Sequence, residues 1–488
     1  MTAEWLMLAL PFLPLLGATG ILMLDRHPDL REALSLAVSV IVAGCALALY
    51  PQIRDGAVVS LRFAEPLPGL PLEFTIEPLG MLFALVASLL WPVTTIYAIG
   101  YMRSHRERNQ TRFYALFAVA LGCTFGVAFA GNLLTLFLWY ELLTLATFPL
   151  VGHAGTDAAR RGARTYLGIL LGTSIGLFLL AILATYSVAG TLAFRSGGIL
   201  AGRLDPGWAG VLLALFVFGI GKAAMMPLHR WLPAAMVAPT PVSALLHAVA
   251  VVKAGVFSIL KVTLYVFGTG YITSSGAADL LLWCAAATIL LASLVAMTRD
   301  NLKARLAYST ISQLGYVVLG ALLATQAGVI GSALQIAMHA CAKITLFFAA
   351  GAILVATQRT EISTMAGLGR AMPVTFGAFF IGSLSIIGLP PFGGLWSKWY
   401  LGMGTLEAGH WPLLGVLLLS SLLNVAYLLA IPVRAFFGSA NAGSSGQDIR
   451  AAPLTCQAAM IVTAGACVAL FFYPDPVYRL ALEASGGR

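Results

Sequence analysis

Six ionisable side chains stand in stretches otherwise built from aliphatic and aromatic residues. They are Glu141 in LFLWYELLTLATFP, Lys222 in GKAAMMPLHRWLPAAM, Lys253 in LLHAVAVVKAGVFSILK, His339 and Lys343 in HACAKITLFF, and Lys398 in GLPPFGGLWSKWYL. Glutamate, lysine and histidine can each hold or release a proton once burial and neighbours tune them, whereas arginine stays charged. The cations are sorted by this property. All 22 arginines fall outside the apolar stretches or at their edges, while Lys222, Lys253, Lys261, Lys343 and Lys398 fall within them and only Lys303 is left to a loop. Each charge near a bilayer centre carries an insertion penalty of about 2.5–3.5 kcal/mol, so the sorting selects titratable groups, and the chemistry it points to is proton transfer along a series of side chains. His229 and His247 are accessory candidates for the same series.

Spacing sets which of these groups share a helix face. His339 and Lys343 are four apart, hence on one face, and make a polar stripe able to pass a proton. His247 and Lys253 are six apart and do not share a face; water or neighbouring helices must link them. Lys261 lies eight residues beyond Lys253, near the outer end of the stretch, and is expected to snorkel to the interface. Glu141 sits roughly 14 Å along its helix, near mid-membrane. A lone carboxylate at that depth calls for a cation beside it, and Lys222 is the expected partner. The competing reading is a buried ion pair that only fixes helix packing.

The elements that must position these groups are membrane spans. Of 488 residues 60% are hydrophobic and 10% charged, which excludes a water-soluble globular domain. Fourteen stretches are long enough to cross a bilayer: 4–24, 33–50, 77–102, 112–130, 132–152, 162–187, 209–226, 242–268, 278–298, 303–323, 329–354, 373–407, 410–437 and 452–473. The first has no basic residues ahead of it and no cleavage site, so it is expected to remain as a span. The seventh and twelfth are interrupted by proline and glycine, each beside a buried lysine. Such breaks at membrane depth are tolerated where helices line protein or a wet cavity, and in corresponding positions of two halves they point to inverted repeats.

The net charge of +9 does not indicate nucleic acid. With both termini outside, 17 of the Arg and Lys residues fall in cytoplasmic segments and six in outer ones, which the positive-inside rule explains. The six cysteines lie in apolar stretches without a CxxC pair and read as small core residues, so no iron–sulfur, zinc or disulfide role is expected. No motif for nucleotide, haem or metal occurs; no cofactor is expected, and the driving force must come from an ion gradient or a partner subunit. VVSLRFAEPLPGLPLEFTI, within an outer stretch 51–76, reads as a small hairpin, and 440–448 as a flexible cytoplasmic connection.

Four segments, GKAAMMPLHRWLPAAMVAPTPVSALLHAVAVVKAG, LKARLAYSTISQLGYVVLG, HACAKITLFFAAG and GLPPFGGLWSKWY, resemble the antiporter-like proton-translocating subunits shared by Mrp-type cation/proton antiporters and respiratory complex I. The resemblance covers nearly the whole chain. It implies an all-α integral membrane protein of about 14 transmembrane helices with two inverted five-helix repeats and broken helices 7 and 12. The units it implies are helices 1–3 with the hairpin (1–111), the repeats (112–268 and 278–437) and a last helix with a short tail (438–488). It places a coupled pair on Glu141 and Lys222, a central lysine on Lys253, and groups leading to the far half-channel on His339, Lys343 and Lys398. AVAVVKAG is a departure, since many relatives carry Thr-Met before Val-Lys.

Lys398 stands where one complex I paralogue has glutamate, and the tail is too short for the lateral helix of the distal complex I subunit. The closest resemblance is therefore to the Mrp D-type subunit. The implied function is a proton-translocating subunit, without catalytic chemistry of its own, of a multisubunit sodium/proton antiporter in a prokaryotic cell membrane, with other membrane subunits as partners. The alternatives are a pump module of a complex I-like or membrane-bound hydrogenase complex, then a membrane partner of an inorganic-carbon uptake complex.

Overall fold

The computed structural model describes residues 2–438 and 451–487; the expected connection at 440–448 lies outside the described residues. Helices account for nearly all of the fold. In chain order they are α1 (Ala3–Met23), α2 (Pro28–Arg54), α3 (Pro78–Ser104), α4 (Gln110–Phe129), α5 (Leu133–Val151), α6 (Asp157–Ala189), α7 (Pro206–Gly219) and α8 (Thr240–Phe267). Then follow α9 (Asp279–Thr298), α10 (Leu302–Leu322), α11 (Gln326–Thr357), α12 (Pro373–Ile387), α13 (Gly394–Glu407), α14 (Trp411–Phe437), α15 (Leu454–Phe472) and the short α16 (Asp475–Ala484). Each of the fourteen apolar stretches falls on one of these helices or on a broken pair of them. Among the described residues, 11 helices are long and apolar enough to cross a membrane. Three stretches fall short for physical reasons: α7 and α12 are cut off at the breaks, and α10 carries Lys303 and Arg305 in its first turn.

The helix starts follow local chemistry. The side chains of Asn132, Thr156, Asp205, Asn301 and Thr325 accept the free backbone N–H groups that open α5, α6, α7, α10 and α11. Prolines begin α2, α3, α7 and α12, where their missing N–H costs nothing. α8 is enclosed along its whole apolar length by α3, α4, α5, α10 and α11, while α1, α2, α6, α14 and α15 form the periphery. The helices carrying the ionisable groups therefore make the core. Lys303 is not in a loop: it sits in the first turn of α10, where its Nζ reaches the Ala238 carbonyl at 2.6 Å.

The hairpin forms where the alternation placed it. β1 (Val59–Leu67) pairs antiparallel with β2 (Leu70–Ile76), Val59 opposite Ile76, and Arg62 pairs with Glu73 across the strands at 3.0 Å. α2 continues to Arg54, four residues into the stretch expected to be non-helical. The Glu73 carbonyl accepts from Gly131 N–H at 3.0 Å and the Phe74 ring packs on Trp139, so the hairpin is tied to the turn between α4 and α5.

Both breaks are present and both are stabilised by close backbone approach. After Gly219 the chain makes a tight turn over Gly221–Ala223, and Ala224 takes a left-handed conformation at φ 54°. The freed Gly221 carbonyl accepts from Trp231 Nε1 at 2.9 Å. α8 passes so close that a Cβ on Gly255 would collide with the backbone of Lys222 and Ala223. The second break opens at Gly388, φ 89°, where an added Cβ would come within 2.7 Å of Lys398 Cδ. Wider π-type turns occur in α6 (Ser174–Phe178), at both ends of α8 (Leu245–Val249, Thr263–Phe267) and in α14 (Val425–Leu429). Such turns shift the register of side chains along a helix.

Candidate functional site

Lys222 projects from the first break onto α5. Its Nζ donates to the Tyr140 carbonyl at 2.8 Å and to Thr144 Oγ1 at 2.5 Å, and it lies 3.1 Å from the centroid of the Tyr140 ring. The backbone N–H of Lys222 donates to Tyr140 Oη at 3.1 Å. No salt bridge joins Lys222 to Glu141, contrary to expectation. The reason is angular: Tyr140, Thr144 and Thr147 recur at i, i+4 and i+7 on the α5 face that meets the break, and Glu141 sits about 100° further round the helix. Both Glu141 carboxylate oxygens are buried without any protein donor.

Lys253 and His339 are brought together directly. Lys253 Nζ, on α8, lies 2.7 Å from His339 Nδ1 on α11, and both residues are sealed from solvent. At that distance one nitrogen must accept from the other, so the pair holds a single shared proton along the contact. The other ring nitrogen of His339 is buried without a partner. Lys343, one turn on, bonds neither of them: its Nζ donates to Ser309 Oγ of α10 at 2.7 Å. The stripe of His339 and Lys343 therefore exists on α11, but its two members reach different neighbouring helices.

Lys398 leans back across the second break. Its Nζ donates to the Ile387 carbonyl, left free at the end of α12, at 3.0 Å and to Ser421 Oγ of α14 at 2.8 Å, 5.0 Å from the Tyr316 ring centre. His247 is buried against Phe347, ring centres 4.7 Å apart, with both nitrogens unpartnered, and is not bonded to Lys253. His229 is half-buried beside Tyr308, rings 6.0 Å apart.

Lys261 corrects the expectation that it snorkels outward. It is fully buried, its Nζ 2.7 Å from Glu77 Oε1 and 2.5 Å from the Ala130 carbonyl, with the Phe194 ring 4.5 Å away. Glu77 caps the start of α3 and the enclosure of α8 leaves no path to the interface, so the carboxylate replaces the headgroup region. Glu77, Tyr140, Thr144, Ser309 and Ser421 are thus functional neighbours that the ionisable series alone does not reveal. Their signal in sequence is a polar stripe at helical spacing, as in Tyr140, Thr144 and Thr147. Among the described residues no group of His, Cys, Asp and Glu could hold a metal.

A multi-span helical core with a run of enclosed lysines, a glutamate and a histidine beside two broken helices defines an antiporter-like membrane protein. The chain belongs to the NADH:quinone oxidoreductase/Mrp antiporter transmembrane family, whose model matches residues 130–424. It is 34% identical over 443 residues to NADH-quinone oxidoreductase subunit N of Desulforudis audaxviator (strain MP104C), covering 89% of this chain and 87% of that one. It is 34% identical over 382 residues to a probable K(+)/H(+) antiporter protein of Rhizobium meliloti (strain 1021), covering 76% of this chain but only 37% of that longer protein. Its fold matches a chain of the Mrp complex from Dietzia sp. DQ12-45-1b at a TM-score of 0.88 and 23% identity, covering 100% of this chain and 97% of that one.

Proposed function

We propose that this chain is the proton-translocating subunit of a multisubunit monovalent cation/proton antiporter, nearest in kind to the Mrp D-type subunit, with sodium as the exchanged ion. Protons pass by way of Glu141, Lys222, Lys253, His339, Lys343 and Lys398, with His229 and His247 accessory. The chain works with other membrane subunits in a prokaryotic cell membrane, both termini outside. Two inverted repeats, 112–268 and 278–437, carry the series. Their proposed equivalence is supported by the position of the break in each, ahead of a closing helix that contains a π-type turn.

The observation that carries this reading is the 2.7 Å contact between Lys253 Nζ and His339 Nδ1. It joins two helices through one exchangeable proton in a sealed interior, an arrangement of little use for packing, where an apolar pair of similar volume serves as well or better. Glu141→Gln provides the first test. Removing the one mid-membrane carboxylate lowers dye-reported proton flux in vesicles about 10-fold or more at unchanged assembly. Wild-type flux in that variant makes Glu141 a packing residue.

Lys398 separates titration from counter-charge. Arginine keeps the cation and can still cap the Ile387 carbonyl, so Lys398→Arg assembles normally yet loses about 10-fold in flux, because a guanidinium does not give up its proton. Lys398→Ala loses both flux and assembled complex. An active arginine variant excludes Lys398 from the proton path.

A second reading has its own support. The match to subunit N extends over 87% of that protein, so a redox-driven pump module is the alternative. Subunits that co-purify from the native membrane separate the two: small multi-span proteins support the antiporter, iron–sulfur proteins the redox complex. Sodium-dependent proton flux in vesicles without an electron donor supports the first alone.

A further inference from the structure

Lys343 and Lys398 stand on different helices and do not touch, yet a run of side-chain hydroxyls fills the space between them. Ser309 Oγ of α10 accepts from Lys343 Nζ at 2.7 Å. The Tyr427 hydroxyl of α14 faces both Ser309 and Ser293 of α9. Ser293 Oγ lies 3.1 Å from Ser420 Oγ, and Tyr316 Oη of α10 faces Ser420 and lies 3.4 Å from Ser421 Oγ. Ser421 then accepts from Lys398 Nζ at 2.8 Å. Ser293, Ser309, Ser420, Tyr316 and Tyr427 are all at most 1% exposed.

The spacing is regular. Ser309 and Tyr316 are seven apart on α10, and Ser420 and Tyr427 are seven apart on α14, so each helix turns one hydroxyl-bearing face to the other and to α9. A serine in an apolar helix ordinarily satisfies itself on the carbonyl four residues back, as Ser293 also does with Ile289 at 2.9 Å. What that habit does not explain is three helices placing these groups in one continuous series with a lysine at each end.

We propose that these hydroxyls form a dry proton wire between Lys343 and Lys398. In the transfer, the Lys343 ammonium gives a proton to Ser309 Oγ as Ser309 gives its own to Tyr427, and each following oxygen gains one proton and releases another until the neutral Lys398 amine is protonated. One positive charge moves from Nζ to Nζ, and no other species is consumed. Afterwards every hydroxyl points the opposite way and must rotate back; for Ser293 the Ile289 carbonyl is a resting acceptor during that reversal. Ser312 Oγ lies 3.0 Å from Ser293 and 3.3 Å from Ser420, so the middle of the wire is doubled. Tyr427, facing Ser309, and Ser421, bonded to Lys398, are the obligatory members.

The wire rests on the relay reading given above, and the test keeps the two apart. Proton flux per assembled complex is measured in native-membrane vesicles for Tyr427→Phe, Ser421→Ala, Ser421→Thr and Ser293→Ala, with Lys253→Met as control. Expected are losses of about 10-fold for Tyr427→Phe and Ser421→Ala, recovery in Ser421→Thr, which restores the hydroxyl, and a mild effect for Ser293→Ala because of the doubled middle. If Lys253→Met is inactive while Tyr427→Phe or Ser421→Ala keeps more than about half the flux, the wire is wrong and the relay stands. A threonine variant no better than the alanine one overturns the wire too, since the hydroxyl is then not the working group. If Lys253→Met keeps its flux, the relay fails and the wire falls with it.

Discussion

Lys253→Met lowers proton flux about 100-fold or more while the complex still assembles. Methionine fills nearly the volume of the lysine stem and removes a charge from the interior of α8, so the fold does not lose by the exchange. What it deletes is the 2.7 Å link to His339, the contact at which α8 and α11 share a proton. His339 is then left with two unpartnered nitrogens in a sealed pocket, and a proton arriving from the Glu141 and Lys222 side has no basic nitrogen to land on. Flux and complex abundance measured on the same vesicles check the expectation. Comparable losses in both indicate a structural lysine and remove the central step of the relay.

Lys261→Met has the opposite signature: stability falls first. The change strands the Glu77 carboxylate in a fully enclosed site, and breaking a buried pair from one side costs about 3–5 kcal/mol. Three elements lose their junction at once, because Lys261 Nζ ties the end of α8 to the start of α3 and to the Ala130 carbonyl in the turn between α4 and α5. Assembled complex and thermal midpoint therefore drop sharply. The double variant Lys261→Met, Glu77→Gln removes both charges and recovers most of the loss. A double variant as unstable as the single one would show that the charge pairing is not what Lys261 contributes.

Much of this was legible in the chain because the two strongest signals are local. Apolar length marks the helices, and proline with glycine marks the breaks beside Lys222 and Lys398. Partners were less legible. Helical spacing says that His339 and Lys343 share a face, but not that one meets Lys253 and the other Ser309. Depth along the chain suggests that Glu141 and Lys222 meet; the angle around α5 decides that Tyr140 and Thr144 receive the lysine instead. Lys261 reads as interfacial from its distance to Lys253, and only the enclosure of α8 by five neighbours shows why it needs Glu77. Hydroxyls carry the weakest signal of all, since serine and threonine in apolar helices usually bond their own backbone.

The complete enclosure of α8 bears on how the protein is made. A helix with two lysines and a histidine is poorly suited to face lipid, at about 2.5–3.5 kcal/mol for each charge near the centre, so it depends on neighbours as it leaves the ribosome. For Lys261 the neighbour is already there. Glu77 and the Ala130 carbonyl precede it in the chain, and the counter-charge is in the bilayer before the lysine arrives. Lys253 is different. Its partner His339 is synthesised 86 residues later, so α8 waits with one end docked and its middle unpaired until α11 enters. The Glu77 and Lys261 pair is therefore the hold that keeps a half-finished bundle in register during biogenesis, and the Lys253 and His339 contact is the closure that completes it.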